Sequence, residues 1–357
     1  MNKIFLVCAA VAAFGSACFA EDDLADDTDD EPSAESVDAL AIDPKVPIAP
    51  DLNKNSTNSL GEVSGIVASP NHAGFIWMHR DGYAADRPSR ERLYAMKVVD
   101  RKLVAFSGSS GTYPTRQFTF ASGISMENLN WEDIAIGNDV TDNAGTSLFI
   151  GDIGNNSGGR TNYKVYQFAE PNPTVSSSVI PSLQATWKFK YPSSAQLSNG
   201  DWPNCETMFH LDRNLYIITK ESQPRVYRFP TNFYEQPSAT HTLVPVVNGT
   251  TTRVVGAGGN PSFASFSSDH KRFMIGAHKK FFVYEVAQSS LLGDALVKAA
   301  MLTPNNPPEW DHDISDLGTF SSLNTEGGTY QTGSKSLVFV TEGKLAFHWP
   351  QANSEAP

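Results

Sequence analysis

The sequence predicts an all-β fold: a single β-propeller of five blades, or six if a long insert hides one. Three observations predict it. Short β-branched and aromatic runs bounded by turn residues fill the chain after residue 59, a two-strand unit recurs five times, and helical periodicity is almost absent.

Taken in order, residues 1–20 have the three parts of a secretory signal. Lys3 gives the positive start, an apolar run extends from Ile4 to Phe14, and small residues lead to Ala20. Such a core is shorter than the ~20 apolar residues that span a bilayer. Lipidation at Cys18 is the alternative, but Gly15 stands where a lipobox has an aliphatic residue, so cleavage after Ala20 is the reading. The expected compartment is therefore secreted or periplasmic, with no membrane span.

Residues 21–58 read as an acidic disordered leader. Positions 21–50 alone hold eleven acidic residues against one base, Lys45. That stretch is too charged and too poor in apolar residues to form a core. The net charge of -12 is thus concentrated in the leader. The nearly neutral remainder, without a basic stripe, argues against nucleic acid as a partner. Cys205 is the one cysteine after the signal, so no internal disulfide is expected, and burial as a small hydrophobe is its plainest role. The body is expected to be a monomer.

Residues 59–350 carry the repeats, and 351–357 form a tail. Each unit is a short strand, a turn, then a strongly apolar strand ending in polar residues. The five are Glu62-Val-Ser-Gly65 with Phe75–Asp81, Trp131–Gly137 with Leu148–Asn156, Cys205–Asp212 with Leu215–Glu221, Phe263–Asp269 with Phe273–His278, and Thr325–Tyr330 with Leu337–Glu342. The units start about 60–75 residues apart, longer than a usual blade of ~40–50, so the loops must be long. Four continue into a third strand, at Arg92–Lys97, Tyr163–Phe168, Val226–Phe229 and Phe281–Val286. The segment Ser289–Ala300 is the one helical candidate, read as a decoration.

In a blade the innermost strand and its neighbour run antiparallel, so the start of one and the end of the other reach the same face. This gathers Glu62, Glu132, Glu206 and Glu326 at one mouth of the channel, with His79, Asp81, Asp152, Lys220, His278 and Glu342 from the partner strands. Repeated carboxylates repel unless a cation joins them, and hard oxygens converging in this way suit Ca²⁺. The candidate metal ligands are Glu62, Glu132, Glu206, Glu326 and Asp152; His79 and His278 are candidate acid–base groups, and Lys220 and Lys279 candidate anion holders. The fourth unit carries Ser265 where the others carry Glu. The structural alternative is that each Glu bonds the next blade's backbone, and that Asp152-Ile-Gly-Asn-Asn156 is only a tight turn. There is no G-x-S-x-G elbow, and Gly108-Ser-Ser-Gly111 lacks the Lys-Ser/Thr of a phosphate loop.

Glu62-Val-Ser-Gly65, Trp131-Glu-Asp-Ile-Ala135, Asp152-Ile-Gly-Asn155, Glu170-Pro171 and Glu326-Gly327 together resemble the motifs of a family of exported bacterial β-propellers of largely uncharacterised function. The likeness runs from about Gly61 to Trp349. More distantly the chain is similar to phytase-like and gluconolactonase-like propellers, which implies a metal at the channel mouth. It departs from them at His79-Arg-Asp81, where an Asn-Asp pair is expected. Two functions are therefore expected: a Ca²⁺-dependent propeller that binds or hydrolyses a small phosphoester or lactone, or a scaffold that holds a glycan or protein without turnover.

Overall fold

Strand pairing in a computed structural model gives five small antiparallel sheets set around an axis, a five-bladed β-propeller. It describes residues 62–349 apart from 82–90, 101, 109–110, 114, 139–144, 176–178, 250–259, 278–279, 287–289, 303–309, 314–323, 335 and 342–345. The signal, the acidic leader and the tail lie outside the described residues. So do His278, Lys279 and Glu342.

The inner strands are Val63–Ala68, Trp131–Asn138, Cys205–Leu211, Phe263–Phe266 and Thr325–Tyr330, in blades 1 to 5. Each pairs antiparallel with the strand that follows it: Phe75–Arg80, Thr146–Asp152, Asn214–Thr219, Arg272–Ala277 and Leu337–Thr341. Blades 1 to 4 extend to a fourth strand, and blade 5 has three described strands, ending at Ala346–Trp349. Two short straps tie neighbours together. Val179–Ile180 pairs parallel with the outer strand Thr115–Phe120 of blade 1, and Thr240–Thr242 with Ala185–Lys190 of blade 2.

Alternation along each strand builds the core. Successive side chains point to opposite faces of a blade, so Leu148 and Ile150 of blade 2 enter the apolar layer shared with blade 1. Phe149, between them, enters the layer shared with blade 3. Five such layers separate the five blades, including one between blades 5 and 1 where Val338 and Val340 meet Val63 and Ile66. This last layer closes the ring through apolar contact, with no disulfide. Cys205 is free and buried, its thiol donating to the Ile218 carbonyl at 3.0 Å.

The helix runs Gly293–Leu302 and is more than a decoration. Leu296, Val297, Ala300 and Met301 are buried in the layer between blades 3 and 4, and Asp294 in its first turn accepts from Arg228 and from the Tyr216 hydroxyl. Gly108 and Gly111 pair with each other in a small two-stranded sheet.

Near the axis the inner strands touch in sequence around the ring, blade 5 against blade 1 included. Crowding there explains the glycine of Glu-Val-Ser-Gly65. A Cβ on Gly65 would stand 2.5 Å from the Ile134 nitrogen of blade 2, far inside contact distance. Gly65→Ala is therefore expected to lower stability by about 1–3 kcal/mol, the usual cost of overpacking. A thermal melt matching the wild type would show that the strands do not approach so closely.

Candidate functional site at the axial mouth

Local backbone geometry aims the acidic side chains. In blade 2, Trp131 lies opposite Asp152 and Asp133 opposite Gly151, so Glu132 is the extra residue of a β-bulge. Glu206 holds that place in blade 3, between Cys205 opposite Thr219 and Thr207 opposite Ile218. Glu326 holds it in blade 5, between Thr325 and Gly327. A bulge re-aims a side chain that regular pleating would send into an interblade layer.

This register corrects two repeat assignments. In blade 1 the bulge falls between Val63 and Ile66, so Ser64, not Glu62, matches Glu132. In blade 4, Phe263 pairs with Gly276 as Asp133 does with Gly151, so Ser262, not Ser265, is the match. The repeat is then Asn-x-Glu or Asn-x-Ser: Asn130-Trp-Glu132, Asn204-Cys-Glu206, Asn260-Pro-Ser262 and Asn324-Thr-Glu326, with Glu62 in the Asn place of blade 1. That spacing was visible in the sequence. Both serines reach the next blade: Ser64 donates to the Glu132 carbonyl at 2.7 Å and to its carboxylate at 3.4 Å, and Ser262 donates to the Thr325 carbonyl at 3.0 Å.

Glu62, Ser64, Asp81, Glu132, Asn156, Glu206, Lys220 and Glu326, with Val63, line one axial cavity of about 170 Å³. Five carboxylates thus face one ammonium. Lys220 pairs with Glu206. An amide relay crosses from blade 2 to blade 3: Asn156 donates to Glu132 at 3.4 Å, and Asn204 donates to the Asn156 oxygen at 2.6 Å and to Glu206 at 3.4 Å. Glu62 enters with a left-handed backbone, φ 64°, uncommon for a residue bearing a side chain.

Burial, and then the carboxylates of Glu206 and Asp81, hold the Glu132 carboxyl well above the usual range, while Lys220 pulls the other way. For Lys220, burial opposes the charge, but Glu206, Glu326 and Glu132 outweigh it and its pKa is raised. The ammonium therefore stays protonated at neutral pH, whereas Glu132 tends to hold its proton.

Other sequence candidates lie elsewhere. His79 does not line the cavity: it is fully buried, edge-on to Trp131 at 5.7 Å, and burial lowers its pKa to about 4. Asp152 is likewise absent from the lining. It accepts from the Asn130 nitrogen at 2.9 Å and pairs with Arg160 at 2.8 Å, so its carboxylate orders the blade 2 loop.

The remaining motif residues are ties between blades. Asp133 accepts from Ile134 and, across the interface, from Met208 at 2.7 Å. Glu170 accepts from Trp77 and Asn71 of blade 1, each at 2.9 Å. A Cβ on Gly154 would stand 2.3 Å from Glu132 Oε1, so that glycine makes room for the carboxylate.

No family model and no curated protein matches the chain. Among solved structures it is similar to the hemopexin fold protein CP4 from cow pea, at 10% identity and a TM-score of 0.33, covering 58% of this chain and 81% of that one. It is also similar to Raptor of Chaetomium thermophilum, at 10% identity and a TM-score of 0.36, covering 84% of this chain and 21% of that one. Neither likeness is near enough to bear on function, and the motif resemblance reaches the propeller class without a family. No helix among the described residues is long and apolar enough to cross a membrane.

A carboxyl whose pKa is raised by folding stabilises the fold below its unfolded pKa, and that contribution is lost as pH rises through the folded value. Glu132→Gln, always neutral, is thus expected to melt higher than wild type at pH 8 and to converge with it near pH 4. Parallel melts across that range would refute the shift. Asp133→Ala leaves the Met208 N–H without its acceptor and should cost about 1–3 kcal/mol, read as a lower denaturation midpoint in urea.

Proposed function

We propose that this propeller is a Ca²⁺-dependent binding protein whose acidic mouth holds the ion and, through it, a small polar ligand. The observation that carries this reading is the convergence of Glu62, Asp81, Glu132, Glu206 and Glu326 on one small cavity. The donor set fits the ion. Apart from Lys220, the polar lining consists of carboxylates, one amide and one hydroxyl, the hard oxygens that Ca²⁺ takes six to eight at a time. Among the described residues no three carboxylates stand close enough to form a ready coordination set, so binding would draw the side chains inward. The glutamates on bulges are placed at strand starts, where such a movement costs no ladder bonds.

The ion would polarise an oxygen of the bound ligand as a Lewis acid. Lys220, already paired with Glu206, would hold that carboxylate in place and offer a positive edge to an anionic group. Without a cation a phosphoester would meet five carboxylates and a single ammonium, so the Ca²⁺ requirement and the ligand class belong together.

Turnover is a second reading, favoured by the environment of Glu132. A buried carboxyl that tends to keep its proton, beside a Glu206 paired with Lys220, is the division expected of a proton donor and its charged neighbour. Glu132 would then protonate the leaving oxygen of a phosphoester or lactone as a water molecule adds to the phosphorus or acyl carbon and gives its own proton to solvent.

Titration calorimetry of the mature chain with Ca²⁺ tests the reading. One site is expected, weakened at least tenfold in Glu132→Gln and in Glu206→Gln, and weaker at pH 5 than at pH 7.5 because a proton on Glu132 competes. No heat and no change in melting temperature up to millimolar Ca²⁺ would end it. Hydrolysis of phosphoester and lactone panels, lost in Glu132→Gln, would add turnover.

A further inference from the structure

The five inner strands run in the same sense about the axis, so their ends meet at a second mouth, opposite the acidic one. A cavity of about 760 Å³ opens there. Its volume lies within the ~300–1,000 Å³ of small-molecule sites. Ile66, Ile134, Ile136, Met208 and Phe209 contribute apolar wall from three blades and blades 4 and 5 supply Ala264 and Tyr330, with polar residues such as Asn138, Ser265 and Gln331 among them.

Among the described residues, the charged groups at this mouth are one carboxylate and one guanidinium, adjacent in the chain. Asp212-Arg213 is the two-residue turn between Leu211 and its partner Asn214, with φ 48° and 64°. Positive φ at both positions is the hairpin turn that usually takes Asn-Gly, so an arginine stands where the backbone favours a glycine. The guanidinium lies 5.8 Å from the Tyr234 ring centroid and makes no ion pair among the described residues. Its neighbour Asp212 accepts from the Gly293 nitrogen. Beside them the His210 ring is stacked on Phe149 at 5.5 Å, and its buried Nε2 has no hydrogen-bond partner. Burial brings the imidazole to a pKa of about 4; the Asp212 carboxylate pulls it up and Arg213 pushes it down, each by less than burial does. At neutral pH the ring is a neutral hydrogen-bonding group beside a fixed cation.

From this arrangement we propose that the wide mouth is a binding site for a small organic anion: an apolar body against the inner-strand walls and an acidic head at Arg213, with His210 beside it. The site is separate from the acidic mouth and does not rest on Ca²⁺ binding there. Arg213 suits a carboxylate or sulfonate because a planar guanidinium donates two parallel bonds to two oxygens. The apolar walls set it apart from a free phosphate or sulfate site, which would need donors on several sides.

A matched pair of fluorescent probes tests it: anionic 1-anilinonaphthalene-8-sulfonate and uncharged N-phenyl-1-naphthylamine. Both are expected to bind the full chain saturably at one site. Arg213→Asn suits the left-handed turn and should weaken the anionic probe at least tenfold while leaving the neutral one within twofold. Ser265→Trp, which would fill the cavity from blade 4, should abolish both without lowering the melting temperature. Glu132→Gln, in the other mouth, should change neither. No saturable binding, or an anionic probe indifferent to Arg213→Asn, would overturn the proposal, as would equal weakening of both probes by that change. If Ser265→Trp does not fold, the contrast between the probes in Arg213→Asn still decides.

Discussion

Closure of the ring at a crowded axis is the constraint on which the rest of the structure depends. No disulfide holds it, so blade 5 must meet blade 1 through apolar contact, and the inner strands must approach closely enough for every layer to seal. Gly65 meets that demand where a Cβ would strike the neighbouring backbone. Once the strands are so near, their starts cannot all present large side chains to the interblade layers. The bulges at Glu132, Glu206 and Glu326 turn one residue per strand toward the axis. The acidic cavity thus follows from the way the ring closes.

Concentrating carboxylates there carries an electrostatic cost, and the fold offsets it in two ways. Lys220 comes from the end of a second strand to pair with Glu206, and Glu132 tends to keep a proton. Ser64 and Ser262 offset it differently, by replacing Glu at the same repeat position in blades 1 and 4. They bond the next blade's backbone, so the alternative that every repeat residue serves the scaffold holds for the serines. The Glu132 carboxylate accepts from Ser64 and Asn156, and that of Glu206 accepts from Asn204 and pairs with Lys220. The repeat therefore divides its work between joining blades and charging the channel.

Much of this was legible in the sequence. Five alternating strand pairs announced the blades, and the antiparallel rule was enough to bring Glu62, Glu132, Glu206, Glu326 and Lys220 to one mouth. Register was not legible, because a bulge shifts pairing by one residue without altering composition, and so Ser265 was aligned where Ser262 belongs. Depth was not legible either. His79 and Asp152 sit on the expected strands but are buried, since a strand end near the axis can turn into a blade interface as readily as into the channel. Asp133 and Glu170 belong to the compact motifs Trp131-Glu-Asp-Ile-Ala135 and Glu170-Pro171. They are hydrogen-bond acceptors between blades, a role that requires the three-dimensional neighbour to be known.

The wide mouth carries no comparable repeat. Glu recurs at the strand starts, whereas the inner strands end on unlike residues, Ala68, Asn138, Leu211, Phe266 and Tyr330. A propeller axis nevertheless has two ends. Parallel inner strands give one end the bulged starts and the other the hairpin turns, so different local geometries are built into the two mouths. The bulges bring a glutamate inward from blades 2, 3 and 5 and leave a narrow space. The other end opens into a wider cavity, where the Asp212-Arg213 turn of blade 3 places one carboxylate beside one guanidinium. Polarity along the channel is thus a consequence of strand direction, and two mouths of unlike size and charge can serve two unlike ligands on one rigid scaffold.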